Sequence, residues 1–325
     1  MKDFKWYTLF LIILCLNLIM VSCGRPDTSK TSGAKKLTVG FSQVGAESVW
    51  RITNTISIKK AAEEAGINLI FKDAQQKQEN QITAIRSFIA QKVDFIAFSP
   101  VVDNGWDVVL MEAKDAGIPV ILVDRKANVE QSLYVTLIGS DFYEEGVNAC
   151  KRMAKLLNET GNIVEIQGNT GSDPAIKRKK GFQDQLVNYP NMKIVKSETG
   201  DFFRQRGKEV MAYFLKDDAK KIDAAFIHND DMALGAIEAI DEYGLRPGKD
   251  IKIVSVDAVS QDIFNAILEG KSNVTVECSP NLGPQLFETI KKIASGEKVE
   301  KWIKTNEGIF DMENAKEKLE LLKQQ

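Results

Sequence analysis

Short apolar runs alternate with amphipathic stretches along nearly the whole chain, and the alternation comes as two successive series. In the first, Leu37–Phe41, Asn68–Asp73, Phe95–Ser99, Val120–Asp124 and Tyr134–Gly139 read as strands. Helical patterns begin near Trp50, Gln78 and Trp106, and in the second of them Ile82, Ile85, Phe88 and Ile89 share one stripe. The second series predicts strands at Asn162–Gly168, Lys193–Thr199, Ala224–His228, Ile251–Asp257 and Asn273–Cys278. Helices at about 142–157, 174–188, 204–215, 230–243 and 260–269 separate them. Repeated strand–helix alternation implies α/β architecture, with parallel sheets covered by helices on both faces. Two series imply two Rossmann-like lobes, and 325 residues suit two domains of roughly 100–200 residues each.

Ahead of the first strand lies a different kind of segment. Lys2 and Lys5 precede an apolar run from Leu9 to Val21, broken by Asn17 and followed by Ser22 and Cys23. The run falls short of the ~20 apolar residues that span a bilayer, and its charge pattern is that of a secretory signal. A small residue followed by Cys resembles a lipoprotein cleavage box, here Met20 to Cys23, which predicts a signal peptide over 1–22 and lipidation at Cys23. An uncleaved anchor or an ordinary signal cut nearby are the alternatives. Residues 23–36 read as a flexible tether, since they offer no apolar face to bury. Of the four cysteines, Cys150 and Cys278 remain for the folded part; one disulfide or two buried thiols are both open, and a core this large needs no staple.

Ligands of open parallel sheets bind beyond the carboxyl ends of the strands, so polar residues there carry the functional reading. Ser42 and Gln43 follow the first strand, Gln75 and Gln76 the second, and Asp124 and Arg125 end the fourth. In the second series Asn229 and Asp230 follow a strand, Asp257 ends one and Glu277 sits within the last. Trp50 and Arg51 open the first long helix, and Arg178 lies on the helix after the Gly168–Gly171 loop. A sugar hydroxyl both donates and accepts, so Asp, Asn and Arg grip it from two sides, while Trp offers a flat apolar face. Taken singly, Asp124 and Arg125 could be a loop ion pair, and Asn229 or Asp230 a helix cap.

Other chemistries lack their residues. A formal charge of −2 from 43 basic and 45 acidic side chains gives no drive toward nucleic acid. His228 is the one histidine and no Cys-x-x-Cys occurs, which argues against zinc and leaves a catalytic triad with a single candidate base. Phosphate-loop and dinucleotide signatures are missing, so no cofactor is expected. In the basic run Lys177–Lys180, Arg178 is expected to face inward and the lysines solvent.

Residues 37 to about 310 resemble the ribose-binding type of periplasmic sugar-binding proteins, and among them the galactofuranose-binding subgroup. The segments that carry this are Leu37–Gly45, Glu47–Arg51, Asp73–Gln81, Arg86–Gln91, Asn104–Trp106, Arg178–Phe182, Gly200–Phe202, His228–Met232 and Val276–Asn281. The resemblance implies a type I periplasmic binding protein fold: two lobes joined by a three-stranded hinge, 37–139 plus 278–303 against 140–277 plus 304–325. It implies a monomer, not an enzyme, that binds a monosaccharide through Ser42, Trp50, Arg51, Asp124, Arg125, Arg178, Asn229, Asp257 and Glu277. Gln76, Asp173 and Phe202 are further candidates. The loop at Gly171–Ala175 and the residues Ala258–Gln261 depart from the subgroup, which leaves the identity of the sugar open. The implied partner is an ABC permease, the alternative a membrane sensor or histidine kinase, with the chain exported to the cell envelope. A repressor effector domain of the same fold would need a helix-turn-helix where this chain carries an export signal.

Overall fold

A computed structural model describes residues 36–324; the expected signal segment and the expected lipidation site Cys23 lie outside the described residues. The first sheet is built from β1 (Thr38–Gln43), β2 (Asn68–Asp73), β3 (Phe95–Phe98), β4 (Val120–Val123) and β5 (Thr136–Gly139). Between them run α1 (Val49–Glu64), α2 (Gln78–Ala90) and α3 (Asp107–Asp115). The second sheet contains β6 (Thr160–Gln167), β7 (Asn191–Thr199), β8 (Ala224–Ile227), β9 (Lys252–Asp257) and β10 (Val274–Glu277). Its helices are α4 (Phe142–Leu157), α5 (Asp173–Leu186), α6 (Arg204–Asp218), α7 (Asp230–Glu242) and α8 (Gln261–Leu268). Beyond β10 come α9 (Gly283–Ala294), β11 (Trp302–Lys304), β12 (Ile309–Asp311) and α10 (Ala315–Leu322).

Strand order is β11-β5-β4-β3-β1-β2 in one sheet and β12-β10-β9-β8-β6-β7 in the other. All pairings are parallel except β12 on β10, and β6–β7 carries a register shift at Ile163/Val164. Both sheets thus follow the two series, with β11 and β12 as late additions at their edges. Strands β3, β4, β5 and β8 are buried at every residue, as strands sandwiched between two helical layers must be. Helices pack closely where glycine permits it. A Cβ on Gly146 of α4 would lie 2.1 Å from the Arg178 carbonyl, and one on Gly181 of α5 would lie 2.0 Å from the Tyr143 carbonyl. These two glycines let the α4 and α5 backbones touch, which sets Arg178 directly over Glu145.

The chain crosses between sheets after β5, after β10 and after β11. Glu307, in the third crossing, ties all three: it accepts from the Ser140 hydroxyl in the first, from the Ser279 N–H at 3.0 Å in the second and from Thr305 at 2.7 Å in its own. Cys150 and Cys278 are both buried free thiols, so the open choice between a disulfide and two thiols resolves to thiols. No helix among the described residues is long and apolar enough to cross a membrane.

Candidate functional site

Helices α1, α5, α7 and α8 all start just beyond strand carboxyl ends, and their caps fix what they present. The Ser48 side chain accepts from Arg51 N–H at 3.2 Å, starting α1 so that Trp50 and Arg51 stand in its first turn. Asn229 caps α7 by accepting from Met232 N–H at 3.0 Å. Around these ends lies a narrow cavity lined from both lobes. The first sheet's lobe contributes Glu47, Trp50, Arg51, Asp124 and Arg125; the other contributes Phe142, Arg178, Phe202, Asn229 and Asp257, with Cys278 at a crossing. Several of these residues occupy positive φ, a region L residues rarely adopt: Asp124 at 67°, Phe202 at 66° and Asp257 at 128°. Such conformations persist where the surrounding structure enforces them, and they gather at binding sites.

In the first lobe four buried charges bind one another. Arg51 donates to Glu47 at 3.1 Å, to Asp124 at 2.8 Å and to Gln43 at 3.2 Å. Ser99 Oγ donates to Asp124 at 3.1 Å. Burial alone would pull the Arg51 pKa down, but Asp124 and Glu47 outweigh it and hold the pKa above its ordinary value. Arg125 is less well served: it donates to the Val101 carbonyl at 3.1 Å and lies 3.8 Å from Glu47 and 3.7 Å from Asp124. Burial, then the Arg51 charge beside it, bring its pKa down to about 10. Among the described residues, three buried side-chain atoms in this half have no hydrogen-bond partner: Ser42 Oγ, Glu47 Oε2 and Arg125 Nε. The Trp50 indole N–H donates to the Cys278 carbonyl at 2.7 Å, and the Arg51 guanidinium stacks 4.6 Å from the ring centre.

The second lobe arranges its half around one cation. Arg178 donates to Glu145 at 2.7 Å and to the His228 carbonyl at 2.5 Å, and lies 3.6 Å from Asp257. Burial pushes the Glu145 carboxyl up to about 8 despite the guanidinium, and raises Asp257 well above the usual carboxylate range. His228 is fully buried; its Nδ1 accepts from Gly168 N–H and its Nε2 faces Glu165 at 3.2 Å, so it supports the wall from behind. Glu145, Cys278 and Glu307 place three ligand atoms within 4.8 Å of one another. Those carboxylates are already engaged by Arg178 and by Ser140 and Ser279, and the thiol is pushed well up by burial, so the trio suits shared protons better than a metal.

Among the described residues, four hydrogen bonds join the lobes across the cleft. Val49 N–H donates to Asp231 at 2.8 Å and Lys126 N–H to Asp173 at 3.0 Å. Asp103 N–H donates to the Gly171 carbonyl at 2.9 Å, and Asn169 donates to Gln76 at 3.3 Å. The cavity is therefore roofed in this conformation.

Of the residues nominated from sequence, the structure gathers Trp50, Arg51, Asp124, Arg125, Arg178, Phe202, Asn229 and Asp257 around one space. Gln76 and Asp173 stand at the rim as cross-cleft contacts. Ser42 is buried outside the lining. Glu277 lies outside the lining: its carboxylate is held by Lys318 of α10 at 2.6 Å and by Gly308 N–H at 2.8 Å. Glu47, Phe142 and Cys278 line the cavity without having been nominated. Glu47 had a usable signal, an acid four residues ahead of Arg51 at a predicted helix start.

A model described as "Periplasmic binding protein domain" matches residues 39–298. The chain is 47% identical over 308 residues to the galactofuranose-binding protein YtfQ of Escherichia coli, covering 93% of this chain and 96% of that one. It superposes with a TM-score of 0.84 on a Mycobacterium smegmatis protein in complex with β-D-fucofuranose, at 54% identity over 86% of this chain and 93% of the other. A third relative is the periplasmic binding protein of the arabinose ABC transporter from Shewanella sp. ANA-3, bound to α- and β-L-arabinofuranose. Its TM-score is 0.85 at 50% identity, over 88% of this chain and 96% of that one.

Proposed function

The chain belongs to the periplasmic binding protein domain family, and on that premise we propose that it captures a monosaccharide in furanose form and hands it to an ABC permease. It acts as a binding protein and not as an enzyme. The observation that carries this is the pairing of buried Asp and Arg groups at facing strand ends of two lobes, with aromatic rings between them. Asp124 and Arg125 grip from one side; Arg178, Asn229 and Asp257 grip from the other. Glu47 Oε2 and Arg125 Nε, buried without partners, are an acceptor and a donor left for hydroxyls. Three relatives whose names or bound sugars are furanoses support the ring form.

A sugar touching both halves binds the closed form better than the open one, and that difference in affinity drives closure. Delivery is read from the closed shape, and the chain works at the cell envelope, lipid-anchored through Cys23. Calorimetry with D-galactose, D-fucose and L-arabinose tests binding, and 13C NMR of the bound sugar labelled at C1 reports its ring form. Saturable binding of a furanose signal, with a smaller radius of gyration in solution scattering, is expected. A bound pyranose would remove the furanose claim, and an unchanged scattering profile would remove closure.

A further inference from the structure

We infer that Asp230, which faces away from the sugar cavity, is the positioning residue that sets Asp257 in its binding orientation. The inference rests on Asp257 being a sugar contact. Asp230 is the first residue of α7, next to the cap Asn229, and is buried. Its Oδ1 accepts from the Ser255 hydroxyl at 2.6 Å and from the Thr275 hydroxyl at 2.8 Å; its Oδ2 accepts from Ala258 N–H at 2.7 Å. Ser255 lies two residues before Asp257 and Ala258 one residue after, so a single carboxylate brackets Asp257 on both sides.

That bracket matters because of the backbone it encloses. Asp257 and Ala258 have φ of 128° and 56°, two consecutive L residues in conformations that favour glycine. Nothing in the local sequence prefers this turn; an external anchor must enforce it. The turn sends the Asp257 carboxylate into the cavity beside Arg178, 3.6 Å away, rather than along the strand. Without the bond to Ala258 N–H, the chain relaxes and the carboxylate leaves its place. Thr275, on neighbouring β10, locks the same carboxylate to a second strand, so α7, β9 and β10 converge on Asp230.

The test is a double-mutant cycle on the full chain, read by calorimetry with D-galactose or L-arabinose, whichever wild type binds more tightly. Asp257→Ala should weaken binding about 10- to 100-fold, as expected for a lost charge-assisted hydrogen bond. Asp230→Ala should weaken it by about the same factor, and the double variant should bind no more weakly than Asp257→Ala. Asp230→Asn should bind within about 3-fold of wild type, because its amide oxygen serves Ala258 N–H while the Ser255 and Thr275 hydroxyls turn to accept. Thr275→Val, a milder change that keeps shape, should lose affinity in wild type and none in the Asp257→Ala background. Independently of sugar, Ala258 N–H should be protected from hydrogen exchange in wild type and Asp230→Asn but not in Asp230→Ala. Additive losses from Asp230→Ala and Asp257→Ala, or full affinity in Asp230→Ala, would overturn the inference. Full affinity in Asp257→Ala would instead overturn the sugar contact on which it rests.

Discussion

The two halves of the cavity solve the same problem differently. In the first lobe, Glu47, Arg51, Asp124 and Arg125 form a buried set of two acids and two bases that neutralises itself. In the second, Arg178 faces Glu145 and Asp257, and the excess acid is managed by burial, which keeps Glu145 protonated up to about 8. One half is organised by ion pairs among the side chains that line the cavity. The other is organised partly from behind, by groups outside the lining such as Glu145. Charge deletions should therefore hurt the first half more, and deletions of hidden hydrogen bonds the second.

The largest effect expected is on folding. Arg51→Ala removes the close partner of Glu47 and Asp124, leaves only Arg125 at 3.8 and 3.7 Å against these buried acids, and should cost about 3–5 kcal/mol in urea denaturation. Arg178→Ala should cost less, because Glu145 already holds a proton at neutral pH. Equal losses would erase the distinction between the halves. Next, Asp124→Ala or Arg125→Ala should each remove about 1.5–3 kcal/mol of sugar affinity by calorimetry while the fold persists. Unchanged affinity would reduce them to a structural ion pair.

A pH titration sharpens the contrast. Between 4.5, the ordinary value, and about 8, folded Glu145 retains a proton that the unfolded chain has released. Native protein then binds more protons, so stability falls as pH rises through that window and levels off above it. Asp230, pushed up to about 7, adds to the same slope. Glu145→Gln should flatten the pH dependence of Tm; an equally steep curve in the variant would show that other groups carry it. The smallest effect expected is from Glu277→Ala, which should leave sugar affinity unchanged and cost up to about 1 kcal/mol of stability for its partly exposed pair with Lys318.

The strand series was legible because runs of five to seven residues rich in apolar side chains and flanked by helical periodicity have few other readings. Strands β11 and β12 were not, since each has three residues, none fully buried, and only tertiary pairing makes them strands. Missing β12 and α10 had a direct cost at the site. Glu277, expected at the ligand from the resemblance and its place in the last strand, pairs instead with Lys318 on α10 and Gly308 just before β12, partners that a reading without those elements does not supply. Asp124, Arg125, Asn229 and Asp257 were found because strand ends of parallel sheets converge. Phe142 was not, because an aromatic residue opening an amphipathic helix looks like any core residue until α4 is docked. Asn229 also shows that two readings need not compete: it caps α7 and lines the cavity together.

The cross-cleft contacts are asymmetric in chemical kind. Val49 and Lys126 supply backbone N–H groups, whereas Asp231 and Asp173 supply carboxylates. A main-chain donor survives every substitution except proline, so the first lobe's share of these two contacts is almost invisible to mutation. A selection for variants that cannot shut would then recover lesions mostly from one lobe, at Asp231 and Asp173, with the Gln76 side chain the exception on the other. Drift in the opposing surface would leave the latch intact, freeing that face to change its sequence in step with whatever docks on it.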